Sequence, residues 1–128
     1  MKKINIILIT ILLIGFTTSC NAQQRQDNIQ TEIIATWVAE DDPNVKLVFN
    51  NSNQCLNYYD NILIDTYPYT ISDECGSETD SNSWFLKLTD NEDFSIRCYE
   101  LYGANQDNNN KLSMRDMITG KIFIYNKQ

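Results

Sequence analysis

The stretch Cys55-Leu56-Asn57-Tyr58-Tyr59-Asp60-Asn61-Ile62-Leu63-Ile64-Asp65-Thr66-Tyr67-Pro68-Tyr69-Thr70-Ile71-Ser72 carries the fold. Two runs rich in Tyr, Ile, Leu and Thr flank the pair Asp60-Asn61. Asp and Asn tolerate the backbone of a two-residue hairpin turn, so the segment reads as two antiparallel strands. Tyr67, Tyr69 and Ile71 fall on one face of the second run. Outward from this hairpin the same texture repeats. Further runs are Ile33–Ala39 around Trp37, Val45–Phe49, Trp84–Leu88, Phe94–Tyr102, Lys111–Met117 and Ile122–Tyr125. Clusters of Asn, Asp, Gly, Ser or Pro separate them. No window keeps apolar residues at the three-and-four spacing of a helix. Parallel strands would need crossovers of about a dozen residues, and these connections are mostly shorter. Eight antiparallel strands must close or fold over to protect their edges. The expectation is an all-β, small antiparallel up-and-down eight-stranded barrel, with a β-sandwich as the alternative.

Alternation places Trp37, Leu47, Phe49, Tyr67, Tyr69, Ile71, Trp84, Leu86, Leu88, Leu112 and Met114 inside. In the sixth run the choice stays open: Phe94, Ile96 and Cys98 share a face with Glu100, while Arg97, Tyr99 and Leu101 share the other. A closed eight-stranded barrel is either filled by side chains or holds one small ligand. If it holds one, the aromatic candidates for contacting it are Trp37, Phe49, Tyr67, Tyr69 and Trp84.

The N-terminus is a leader. Met1-Lys2-Lys3 precedes the apolar run Ile4–Phe16, and small residues Thr17-Thr18-Ser19 follow. The run is too short for a bilayer core, which needs about 20 residues. Thr17-Thr18-Ser19-Cys20 resembles the lipobox of bacterial lipoproteins, with Thr17 where leucine is usual. That resemblance implies a signal peptide over 1–19 and lipidation of Cys20 as the first mature residue. Ordinary cleavage nearby, for instance after Ala22, is the alternative. Residues 20–32 then form a lipidated cysteine and polar tether, and 33–128 the barrel domain. The implied address is the cell envelope of a Gram-negative bacterium, with the chain held to the membrane by its lipid. Asn21 after the cysteine points to the outer membrane, and the leaflet is left open.

The chain has 128 residues, with Lys plus Arg 10 and Asp plus Glu 17, a formal charge of −7. Loss of Lys2 and Lys3 with the leader makes the balance 8 against 17, or −9. This argues against nucleic acid as a partner, which needs a basic face. Histidine is absent, which removes the usual general base and the commonest metal ligand. No catalytic residue, metal site or cofactor is expected. Most carboxylates sit in turns, where they serve backbone geometry. Glu100 and Asp65, within strands, are the better acid candidates.

With Cys20 assigned to lipid, Cys55, Cys75 and Cys98 remain for an oxidising compartment. A turn at Asp90–Asp93 puts Cys98 opposite about Phe85, close to where Cys75 enters the same strand end. The favoured disulfide is Cys75–Cys98, closing a loop worth on the order of 3 kcal/mol. Cys55–Cys75 is the rival pairing.

Several short motifs together resemble small lipocalin-like bacterial lipoproteins over residues 33 to 128. They are Ala35-Thr36-Trp37, Leu47-Val48-Phe49, Tyr58-Tyr59-Asp60-Asn61, Cys98-Tyr99-Glu100-Leu101 and Lys111-Leu112-Ser113-Met114-Arg115. Ala35 stands where lipocalins usually have glycine. The resemblance implies an arginine packed across Trp37, for which Arg115 is the candidate and Arg97 the second; Arg115 thereby joins the ligand-binding set. The functional expectation is a monomeric, non-enzymatic envelope binding protein for a small apolar or amphiphilic ligand. The alternative is a protein-interaction or inhibitor module with an acidic barrel surface. An enzyme is the third.

Overall fold

The computed structural model describes residues 28–128; the leader, Cys20 and the first part of the expected tether lie outside them. Eight strands close into one antiparallel barrel: β1 (Thr36–Ala39), β2 (Val45–Phe49), β3 (Gln54–Tyr59), β4 (Ile62–Ser72), β7 (Trp84–Thr89), β8 (Ile96–Ala104), β9 (Lys111–Asp116) and β10 (Ile122–Lys127). Between β4 and β7, the short strands β5 (Glu74–Cys75) and β6 (Glu78–Thr79) form a separate two-stranded hairpin. The barrel order follows the chain, and β1 closes on β10 through Trp37↔Lys127, Val38↔Asn126 and Ala39↔Tyr125. Closure excludes the sandwich, whose two sheets would leave edges.

Local chemistry accounts for the hairpins. Asp60 and Asn61 both adopt positive φ, 50° and 63°, as a tight turn matching the strand twist requires. A bulge between Asn57 and Tyr58 then shifts the β3–β4 register. β4 pairs with β7 only over Tyr69–Ser72. Its upper part therefore has an edge outside that ladder, and the sequence protects it. Pro68 has no N–H to offer, Asp65 Oδ1 accepts the Thr66 N–H at 2.7 Å, and Asn91 Nδ2 donates to the Thr66 carbonyl at 2.7 Å.

The core fills the lumen. Trp37, Leu86, Leu112 and Cys55 are fully buried, with Phe49, Ile71, Met114 and Tyr69 close behind. Phe49 and Tyr69 meet edge-on at 5.1 Å. In β8, the open choice of face is settled by pairing: Leu101 lies opposite both Trp84 and Met114, so Arg97, Tyr99 and Leu101 face inward. Residues 28–32 are helical and lead to the fully buried Ile33, whose carbonyl accepts the Trp37 Nε1–H at 2.7 Å. This helical turn, with Ile29 packed on the core, stops one end of the barrel.

Two outcomes check this packing. Leu86→Ala should cost about 2–5 kcal/mol in denaturant unfolding, whereas the exposed Ile118→Ala should stay within about 0.5 kcal/mol. Burial pushes the Cys55 thiol up to about 12 from an ordinary 9.0. A neutral buried thiol stabilises fully below the unfolded value and loses that contribution as pH rises from about 9 toward 12. Stability should therefore fall in this window, and Cys55→Val should make the fall shallower.

Candidate functional site

An up-and-down barrel sends successive connections to opposite ends, so the two ends differ in composition. The proximal end holds the helical turn, Asn50–Asn53, the segment carrying β5 and β6, and Asn105–Asn110. The distal end holds the β1–β2 loop (40–44), the Asp60-Asn61 turn, the β7–β8 loop (90–95) and the β9–β10 turn (117–121).

The expected ligand residues do not converge on an open cavity. Trp37, Phe49 and Tyr69 are buried in the packed core, and Tyr67 and Trp84 are half-buried against it. Three surface clefts lie elsewhere. One, of about 380 Å³, runs between residues 28–32 and 101–108. The others lie by Asp73–Ser81 and by Pro43–Lys46. None is lined by these five aromatics.

Arg115 is not in the lumen. Met114 and Leu112 point inward, so Arg115 points out, opposite Glu100, and donates from Nη2 to Glu100 Oε2 at 2.6 Å. Ser83 Oγ donates to the other Glu100 oxygen at 2.9 Å. Glu100 is thus a member of an outer ion pair. The cation over Trp37 is Lys127, its Nζ 5.9 Å from the ring centroid. The β1–β10 register sets Lys127 directly across from Trp37, a position that Arg115, on the next strand and the other face, does not reach.

The Cys75–Cys98 disulfide is present, and Cys55 is the buried free thiol. Cys98 lies opposite Lys87, not Phe85, because β8 begins at Ile96 and the distal loop takes six residues, 90–95. The bond pins the β5–β6 hairpin on the outer wall, where Phe85 is buried despite facing away from the lumen. The Asp107–Asn110 run lies in the polar loop Asn105–Asn110, which begins with a 3₁₀ turn at Gln106–Asn108.

At the distal end, three of the four connections lift an apolar side chain into solvent. In the β7–β8 loop, Asp90 Oδ1 accepts the N–H groups of Glu92 and Asp93, and Asp93 Oδ1 accepts that of Ser95. This network holds Phe94 at φ 59° with 76% of its surface exposed. Hydrogen bonding from Ser95 keeps the Asp93 carboxyl below its usual range. In the β9–β10 turn, Asp116 Oδ1 accepts from Ile118 and Thr119, and Ile118 stands 84% exposed. The backbone bonds from Thr119 and Ile118 likewise lower the Asp116 carboxyl. The β3–β4 hairpin carries Tyr59, Ile62, Leu63 and Ile64, all exposed.

These loops touch around a ring. The Asp60 N–H donates to the Asn44 carbonyl, Asn91 reaches β4, the Met117 N–H donates to the Cys98 carbonyl, and Lys121 Nζ lies 3.9 Å from Asp41. Inside the ring, Arg97 contacts Tyr99 and lies near Tyr67 and Asp116. Burial raises Tyr67 and Tyr99 above the ordinary phenol value, with Asp65 adding to the rise at Tyr67. Sequence reasoning missed this crown because it placed Phe94 within a strand; the Asp-rich run Asp90–Asp93 before it was the available signal.

Phe94 is a bulky residue in left-handed backbone, a conformation that costs of order 1–3 kcal/mol at such a position. Phe94→Gly should therefore leave the fold intact and raise its unfolding free energy by about 1 kcal/mol, read from denaturant midpoints.

No protein-family model matches the chain, and no curated protein or solved structure matches it either. The closed eight-stranded barrel is consistent with the lipocalin-like architecture that the sequence motifs resemble.

Proposed function

We propose that this chain is a lipid-anchored, non-enzymatic binding protein of the cell envelope that meets its target at the distal end of a lipocalin-like barrel. The observation that carries the reading is the contrast between a filled lumen and the strained, exposed Phe94 beside Ile118 and the β3–β4 hairpin. Exposed apolar residues concentrated at one place mark interaction sites more than scattered ones do. The described chain leaves the barrel toward its N-terminus at the proximal end, so a lipid on Cys20 would leave the distal end facing away from the anchoring membrane. The chain's lack of histidine supports a binding rather than a catalytic role.

A second reading rests on Tyr67, Tyr99 and Arg97. Tyr67 and Tyr99 are half-buried inside the distal ring and Arg97 is exposed beside Tyr99, an aromatic and cationic set suited to the head of a small amphiphile.

Two measurements test these readings. Metabolic labelling with an acyl-chain probe should mark the wild type and fail on Cys20→Ser; equal labelling would remove the anchor. Native mass spectrometry of the mature chain, extracted in detergent from its own envelope, should show the protein free of any retained small molecule. A stoichiometric small molecule, lost in Arg97→Ala, would replace the first reading with the second.

A further inference from the structure

Resting on the distal-end reading above, we propose that the partner is a protein whose docking patch combines apolar side chains with Lys and Arg. The exposed apolar side chains at this end are Phe94, Ile118 and the tip of the β3–β4 hairpin, Ile62–Ile64, carried on three connections. The same end's loops supply Asp41, Asp60, Glu92 and Asp93, all exposed, and the half-buried Asp42. The cations nearby are fewer, three against these five carboxylates. Lys46 Nζ bonds Asn61 Oδ1 at 3.0 Å and lies over the Tyr58 ring, Lys121 lies beside Asp41, and Arg97 contacts Tyr99. This end therefore presents apolar tips interspersed with carboxylates, and its complement is an apolar surface carrying basic residues.

Charge separates the other occupants. An anionic lipid surface would be repelled by these carboxylates. A second copy of the chain would set acidic loops against acidic loops on two bodies of formal charge −7 each. Neither is favoured by the same surface that a cationic protein satisfies. Loop construction adds to the argument. Asp90, Asp93 and Asp116 spend their oxygens on turn N–H groups, which fixes the apolar tips in place before a partner arrives.

The test uses the full chain in its native envelope, with the photoreactive p-benzoylphenylalanine introduced separately at Phe94, at Leu63 and, as proximal control, at Asn51. The expected result is one protein cross-linked from positions 94 and 63 and not from 51, with a basic isoelectric point. Purified, that protein should bind the detergent-solubilised chain with an affinity that falls as salt rises. Phe94→Gly and Leu63→Ser should each weaken binding by roughly tenfold or more, as for central apolar contacts. Asp41→Asn with Glu92→Gln should flatten the salt dependence. A neutral or acidic partner, or one bound equally at low and high salt, overturns the cationic assignment while leaving the distal surface standing. Adducts to lipid or to the chain itself overturn it too. Adducts only from position 51, or from none of the three, remove the distal surface and this proposal together.

Discussion

The pairing of the first strand with the last is the constraint on which the rest of this structure depends. Trp37 sits at that seam. It lies across from Lys127 on one side and Leu47 on the other, donates its indole N–H to the Ile33 carbonyl, and carries the Lys127 ammonium over its ring. Closure removes the free edges that an eight-stranded antiparallel sheet would otherwise expose. Where the ladder lapses beside upper β4, Pro68 and the side chains of Asp65 and Asn91 cover the edge. Closure also sorts the connections. Every other one must emerge at the same end, and so composition can differ between the ends without disturbing the wall.

That freedom is used unequally. Proximal connections are tipped by Asn, Ser, Asp and Glu, and the helical turn before Ile33 packs on the core at that end. Distal connections are tipped by Phe94, Ile118 and the Ile62–Ile64 run. One residue type does two jobs there. An aspartate side chain accepts the turn N–H groups that the strands leave unpaired, and its charge remains at the rim. Short turns thus place carboxylates at this end as a by-product of satisfying their own backbone, and the apolar tips there are interspersed with charge.

Much of the barrel was legible because strand alternation and turn chemistry are local. The Asp60-Asn61 turn, the limits of β2 and β4, and the inward set from Trp37 to Met114 follow from adjacent residues alone. The Cys75–Cys98 bond was also within reach, although the strand register behind it was off by two residues. The misreadings all involve choices between local solutions that only tertiary pairing resolves. Phe94 has strand propensity but lies in left-handed loop backbone, because Asp90 and Asp93 take up the N–H groups that a strand would send to its neighbour. The lipocalin resemblance implies an arginine packed across the Trp37 ring, and it offers Arg115 as that cation. The side on which a residue faces depends on its own strand's alternation, and that alternation sends Arg115 outward to Glu100 and Lys127 inward to the indole. A crown built from three separate connections has no contiguous sequence signature at all.

The filled lumen and the decorated rim are connected by size. A body of about a hundred residues buries only about 60–70% of its unfolded surface and keeps a net stability of about 5–15 kcal/mol. Each large side chain removed from the lumen to make room for a ligand would cost about 2–5 kcal/mol. Emptying the positions of Trp37, Phe49 and Tyr69 would consume most or all of that margin. A barrel this small therefore keeps its interior for folding. On the binding reading proposed above, recognition then falls to positions whose side chains contribute nothing to the core. Phe94 and Ile118 are such positions: they can change without opening a cavity, and the strain at Phe94 is small against the stability that the sealed lumen supplies.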